Sequence, residues 1–268
     1  MRLDAYLSER SLVRSRERAK TMIKAGCVKI DGKVCTKPSA EVSDANKIEI
    51  DDSDFNYVGR GLLKLAAAFG AFDIDITDKV CADIGASTGG FTQCMLEHGA
   101  RLVYAVDVGH DQLDEQLKND SRVVNREGVN AKNLTPSDFS VLPEFISVDL
   151  SFISLKQVMP VLKGILSPAG TMVVLIKPQF EAGKSALNKK GIVRDKKDHV
   201  RVLNELIAFF VSCGLSVRGV IPSGIRGCDG NVEYLAYLCI ENSAPNVPID
   251  VKKLVDTAFD TSGNVFDK

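Results

Sequence analysis

Four side chains able to move a proton or pair charges stand at the borders of apolar segments. They are Lys64 in Gly59-Arg60-Gly61-Leu62-Leu63-Lys64, Asp149 in Val148-Asp149-Leu150-Ser151-Phe152, Lys177 in Ile176-Lys177-Pro178-Gln179-Phe180-Glu181, and Glu233 in Gly230-Asn231-Val232-Glu233-Tyr234. Two cations and two carboxylates gathered at one point can pair with one another and move a proton. Lys177, desolvated beside the second cation Lys64, would give up a proton more readily, while Asp149 and Glu233 would orient and balance the pair. The spacing does not say which lysine is the base. Singly, each charge reads more simply as a solvated strand end; as a set they invite a shared site.

A second cluster is built for close backbone approach. An apolar strand, Lys79 to Ile84, runs into Asp83-Ile84-Gly85-Ala86-Ser87-Thr88-Gly89-Gly90-Phe91-Thr92, a glycine-rich turn that opens a helix. The small residues Gly85, Ala86, Ser87, Gly89 and Gly90 let the main chain close on a ligand. The turn is not a G-x-G-x-x-G fingerprint and no Gly-Lys-Ser/Thr triplet follows it, which disfavours NAD and a phosphate-binding P-loop. The next strand, Leu102 to Val106, ends in Asp107, where a carboxylate can accept both hydroxyls of a ribose. A third strand near Val123-Val124 leads to Glu127 and Asn130, either of which can line another side of such a pocket.

These residues need a frame. From residue 58 the chain alternates between helices (Leu62 to Phe69, and from Phe91) and strands (79–84, 102–106, 172–176), which implies an α/β fold with a mostly parallel sheet covered by helices. Asp149 and Lys177 then follow strands, at the carboxyl edge where open α/β folds bind ligands. Leu215 to Ile221 and Tyr234 to Ile240 predict a terminal hairpin. Residues 51–57 are polar and acidic and read as a linker. Ahead of it, Leu3, Leu7 and Leu12 suggest a short amphipathic helix, and Ser15 is a candidate cap for a second helix that closes at Gly26. Ala19, Met22 and Ile23 take one stripe of that helix; Arg16, Lys20 and Lys24 recur on another face, with Arg14 and Arg18 nearby. Cys27–Ile30 and Lys33–Cys35 flank Asp31-Gly32, a two-residue type I′ hairpin signal. Residues 1–50 carry eleven Lys or Arg against seven Asp or Glu, within a chain of net charge −1. The basic end suits a nucleic-acid partner.

The stretch RLDAYLSERSLVRSRERAKTMIKAGCVKIDGKV resembles an S4 domain, a small RNA-binding module. The glycine-rich turn resembles methyltransferase motif I, and the order Lys, Asp, Lys, Glu resembles the catalytic tetrad of FtsJ-like ribose 2′-O-methyltransferases. Together with DLSFISL, IKPQFEAGK, GIVRD and NVEYL, the chain from about residue 2 to 240 resembles the TlyA family, once named hemolysins. The resemblance implies an S4-like α+β domain over residues 1–57, a Rossmann-like methyltransferase domain over 58–242, and a tail, 243–268, with no assigned role. It implies methyl transfer from S-adenosylmethionine to a ribose 2′-hydroxyl of ribosomal RNA, a cytidine by family habit. Lys64, Asp149, Lys177 and Glu233 would carry catalysis; Asp83, Gly85, Gly89, Phe91 and Asp107 would bind the cofactor. Only Met1 precedes the Arg-Leu-Asp-Ala start, which by family pattern favours the large-subunit RNA alone, and Leu62 stands where glycine is expected.

Composition sets the remaining bounds. Hydrophobic residues at 45% and charged residues at 26% are ordinary for a globular protein, and no apolar stretch approaches the roughly 20 residues that span a bilayer. The N-terminus has no apolar signal segment, so a cytoplasmic protein with no membrane partner is expected. Seven cysteines without close pairs read as reduced core thiols, and three scattered histidines give no metal-ligand spacing, so no metal is expected. Two other classes stand beside the enzyme. A membrane-active hemolysin would need a spanning or strongly amphipathic segment, which is not evident. An RNA-binding protein with an inactive methyltransferase fold is disfavoured by the intact tetrad.

Overall fold

A computed structural model describes residues 1–10, 12–13, 16–24, 26–50, 57–59, 61–227, 230–240 and 245–261, without the side chains of 17, 18, 21 and 261. The chain divides into two compact units between Asn56 and Tyr57.

The first unit has two helices, α1 (Leu3–Glu9) and α2 (Arg16–Lys24), and three short strands, β1 (Val28–Ile30), β2 (Lys33–Val34) and β3 (Ile48–Ile50). The strands form an antiparallel sheet in the order β2-β1-β3, one strand more than the sequence pattern suggests. Asp31 (φ 50°) and Gly32 (φ 77°) make the expected tight turn. Leu3, Leu7, Ala19, Met22, Ile23 and Val28 are buried as a small core. Leu12 is not part of α1, which ends at Glu9, and it is half exposed; the turn at Arg10 breaks the periodicity that grouped it with Leu3 and Leu7. Asp4 is fully buried in the first turn of α1 and paired with Arg2 (2.9 Å) and Arg16 (3.4 Å). The Arg2 guanidinium, with help from Arg16, holds that carboxyl well below the usual range.

The second unit is a seven-stranded sheet. Its elements in chain order are α3 (Gly61–Ala71), β4 (Val80–Ile84), α4 (Gly90–Glu97), β5 (Leu102–Asp107), α5 (Glu115–Lys118), β6 (Val123–Glu127), β7 (Phe145–Val148), α6 (Met159–Ile165), β8 (Thr171–Ile176), α7 (Pro178–Glu181), α8 (Lys196–Ser212), β9 (Leu215–Pro222), β10 (Tyr234–Ile240) and α9 (Val251–Thr261). The strand order is β6-β5-β4-β7-β8-β10-β9. The first five are parallel, while β10 runs antiparallel to β8 and β9. Both faces are covered, so the central strands are apolar apart from the hydrogen-bonded pair Asp83 and Ser147. Met172, Val174 and Ile176 of β8 pack in one core with α6, α8 and α9; Val173 and Leu175 pack in the other with α3 and α4.

This topology sets an edge. Asp107 ends β5, Asp149 follows β7 and Lys177 follows β8, all at the carboxyl edge. Because β10 is antiparallel with Tyr234 opposite Ile176, Glu233 enters at that same edge.

Candidate active site

Lys177 and Glu233 are the next residues outward from the Ile176–Tyr234 pair, so the register brings them side by side. The four charges form two ion pairs. Lys64 Nζ lies 2.6 Å from Glu233 Oε2, and both side chains are buried. Lys177 Nζ lies 2.6 Å from Asp149 Oδ1 and donates to Ser151 Oγ at 2.8 Å. Gln179, two residues beyond Lys177, donates from Nε2 to Glu233 Oε1 at 3.1 Å and so links the β8 end to the Lys64–Glu233 pair. Sequence reasoning set the two lysines against each other; here each faces a carboxylate, so the cluster is charge-balanced pair by pair. Pairing is what permits burial, since an isolated charge there would be costly.

Lys64 is held by the packing of α3 on the glycine-rich turn. A Cβ on Gly90 would stand 3.0 Å from Leu62 N and 3.2 Å from Gly61 Cα, and one on Gly59 would meet Thr88 Oγ1 at 2.6 Å. The absence of side chains at these positions lets the start of α3 lie on the start of α4. Gly85 has φ 91°, and a Cβ there would come within 2.3 Å of the Asp149 carbonyl oxygen. That contact joins the turn after β4 directly to the residue carrying the Asp149 carboxylate.

The remaining candidates fall into two groups. Asp107 is half-buried, and its carboxylate accepts from the N–H of Ser87 (2.8 Å) and Gly109 (2.7 Å), which ties the two loops that follow β4 and β5. Glu127 accepts from the N–H of Gln112 and Leu113 and from the Asn125 amide. The Asn125 bond and then those backbone donors pull it down to about 2, so it fastens the loop after β5. Exposed Asn130 accepts from Lys132 N–H and caps a short turn. Ala86, Ser87 and Gly89 shape the open turn, Ser87 with φ 48°.

Asp83 and Phe91 behave differently. Neither lines a surface: Asp83 is fully buried and Phe91 is 3% exposed. Asp83 accepts hydroxyl hydrogen bonds from Thr92 (2.7 Å) and Ser147 (3.1 Å), while the Phe91 ring packs under Gly61. Burial pushes the Asp83 carboxyl up to about 7 against those hydroxyls, with Asp149 adding to the rise. Both residues brace the turn from below rather than face a ligand.

Three side chains were missed by sequence reasoning. Gln179 and Ser151 lie inside motifs that had been singled out, but nothing in their type distinguished them. Phe152 is 90% exposed, sits at φ 62°, and stands 5.0 Å from the Phe180 ring, which itself has Lys177 Nζ 5.9 Å from its centroid. A bulky residue held at positive φ and turned into solvent is a functional signal, but exposure is not visible in sequence.

Of the basic residues proposed for α2, Arg16 and Lys24 are exposed and Lys20 is half-buried. Arg16 is not a free cation, because it balances buried Asp4. Arg14 and the side chain of Arg18 lie outside the described residues, as does Ser15. Among the described residues there is no group of acids, histidines and cysteines that would hold a metal, and no helix long and apolar enough to cross a membrane.

Residues 57–239 match the FtsJ-like methyltransferase family and residues 1–48 the S4 domain. The chain is 42% identical over 238 residues to the 16S/23S rRNA (cytidine-2′-O)-methyltransferase TlyA of Mycobacterium tuberculosis, covering 88% of this chain and 89% of that one. It is 42% identical over 241 residues to hemolysin A of Brachyspira hyodysenteriae, covering 90% of this chain and all of that one. A solved hemolysin-named structure from Streptococcus thermophilus superimposes with a TM-score of 0.78 at 42% identity, over 97% of this chain and 96% of that one. The chain therefore belongs to the TlyA family, in which an S4 domain precedes an FtsJ-like methyltransferase domain.

Proposed function

We propose that this protein transfers a methyl group from S-adenosylmethionine to the ribose 2′-hydroxyl of a cytidine in ribosomal RNA. The observation that carries the reading is the pairing of Lys64 with Glu233 and of Lys177 with Asp149 at the sheet edge where the glycine-rich turn and Asp107 also end. The relative from Mycobacterium tuberculosis, named for that reaction on both ribosomal RNAs, supports the substrate class.

The residues present fit the cofactor. Gly85 brings the main chain onto the Asp149 backbone, and Asp107 keeps lone pairs free for ribose hydroxyls beyond its two backbone donors. Gly85, Ala86, Ser87, Gly89 and Asp107 would hold it, with Glu127 and Asn130 framing the adenosine side; bound there, it supplies an electrophilic methyl on a sulfonium. The protein must then place a hydroxyl in line and remove its proton. We assign the hydroxyl to Lys177, because the exposed Phe152 ring and the half-buried Phe180 ring lie on that side and offer a face on which a nucleobase can stack. Asp149 and Ser151 hold the Lys177 side-chain nitrogen in place, and Gln179 holds Glu233 against Lys64. In the S4 domain, Lys20 and Lys24 would meet phosphates.

The test is to incubate purified protein and S-adenosylmethionine with unmodified small- and large-subunit ribosomal RNAs, free and assembled. Ribose methylation is then mapped. A new 2′-O-methylcytidine is the expected product; methylation on a base or on no RNA would overturn the reading.

A further inference from the structure

Between α7 and α8 the second unit carries a small, strongly basic hairpin that the assigned site does not use. Residues 184–197 contain six Lys or Arg and one acid, Asp195. Gly183 (φ 82°) turns the chain away from α7, and Leu187 and Val193 pair as an antiparallel bridge. Asn188 makes the bend: its Oδ1 accepts from the N–H of Lys190 (2.8 Å) and Ile192 (3.0 Å), and its N–H donates to Ile192 O at 3.0 Å. Gly191, at φ 72°, donates to Asn188 O. Lys184, Lys189, Lys190, Arg194 and Lys197 are exposed, and among the described residues none of these five side chains has an ion-pair or hydrogen-bond partner. By contrast Lys196, in the same stretch, is paired with Asp256.

The base of the hairpin is fastened to the segment that carries Glu233. Val193 N–H donates to Asn231 Oδ1 at 3.2 Å, and Asn231 Nδ2 donates to Gly191 O at 3.2 Å. His199 Nε2 donates to Val193 O at 3.0 Å, leaving Nδ1 to accept from the Tyr234 hydroxyl at 3.0 Å. Asn231 and Tyr234 bracket Glu233. A flexible lysine-rich loop would be ordinary solvated surface; this one is bent by its own side chain and bonded through Gly191 and Val193 to the active-site segment.

We propose that this hairpin is a phosphate clamp, a second RNA-contacting surface that grips the backbone of the substrate strand and sets its register against Lys177 and Glu233. It rests on the methyl-transfer reading of the site. Unpaired cations of one sign on a preorganised loop gain from phosphate contact through counterion release and lose little freedom in making it. Shape and phosphate contacts are also how folded RNA is recognised when base edges are hidden.

The test replaces Lys184, Lys189, Lys190 and Arg194 together with Gln in the full chain. Binding of an unmodified ribosomal RNA transcript is then titrated between 50 and 200 mM salt. The log affinity against log salt should flatten by up to about 3, at roughly 0.7 to 0.9 per contact, so the wild-type affinity falls up to about 60-fold more than the variant's across that range. S-adenosylmethionine affinity by calorimetry should not change, and Lys→Arg at 184, 189 and 190 should keep the wild-type slope. If the fourfold variant loses cofactor binding, the pairs 184/194 and 189/190 are read separately in the same way. An unchanged slope with intact cofactor binding overturns the clamp. Failure of the underlying reading shows instead as absent methyl incorporation by the wild-type protein, which the binding slopes do not involve.

Discussion

At Lys177 the geometry separates two jobs that one loss of activity would confuse. Its Nζ touches Asp149 and Ser151 and faces the Phe180 ring, whereas Asp107 touches only the loops that would hold the adenosine end. Lys177→Ala is expected to lower the methyl-transfer rate by about 10² to 10⁴, the usual range for a positioned proton-handling group, with cofactor affinity nearly unchanged. Asp107→Ala should weaken the cofactor instead. Calorimetric titration of each variant decides, and equal loss of binding in both would refute the division. Asp83 makes a different prediction. Its carboxyl is raised from 3.8 to about 7, so between those values the folded state holds a proton that the unfolded state has lost. Stability therefore declines as pH climbs through that window, and the full cost is present above about 7. Asp83→Asn stays neutral, so its melting temperature relative to wild type should rise steadily from pH 4 to pH 7. Parallel melting curves would mean that Asp83 is ionised throughout.

Among the elements, legibility in sequence followed the strength of the local pattern. The β4 turn and the β9–β10 hairpin announce themselves by small residues and by two apolar runs of β-type residues, and the edge positions of Asp149 and Lys177 follow from strands that precede them. What the sequence withheld were facts of depth. Phe91 and Asp83 sit in the most ligand-like motif of the chain yet face inward, because the start of a helix has an inner side as well as an outer one. The α9 helix lies in the Pro-, Asn- and Asp-containing stretch 243–268, beyond the family resemblance, to which the sequence attaches no role. Its apolar residues, Val251, Val255 and Ala258, nonetheless fall at helical spacing and are buried against α8 and β9. Asp256 meets Lys196 at 2.7 Å, and the Phe259 ring meets buried His199 edge-on at 5.0 Å. Thus α9 closes over the His199–Tyr234 hydrogen bond, one residue from Glu233. Val255→Asp places an unpaired charge in that seam and should cost about 3 kcal/mol or more, lowering the melting temperature by roughly 6 to 12 °C. A shift under about 2 °C would show that α9 is peripheral to the fold.

For the whole molecule, each unit has its own buried core, and the division falls between Asn56 and Tyr57. Residues 57–268 made alone should fold and bind S-adenosylmethionine within about twofold of the full chain, since every assigned cofactor contact lies there. The first unit, of only about fifty residues, is near the lower limit for an independent fold and leans on its buried Asp4 ion pairs as well as its small core. If it supplies RNA affinity, its covalent attachment turns the second encounter into an intramolecular one, at effective concentrations in the millimolar range for a short linker. Methylation of ribosomal RNA by the separated second unit, at RNA concentrations below saturation, should then fall by roughly 10² to 10⁴. Adding residues 1–56 in trans at micromolar concentration should restore little, because the missing quantity is local concentration rather than a catalytic group. Initial rates for the full chain, the second unit and the mixture decide it. Equal rates for all three would place RNA capture wholly in the second unit, where the 187–193 hairpin would have to supply it.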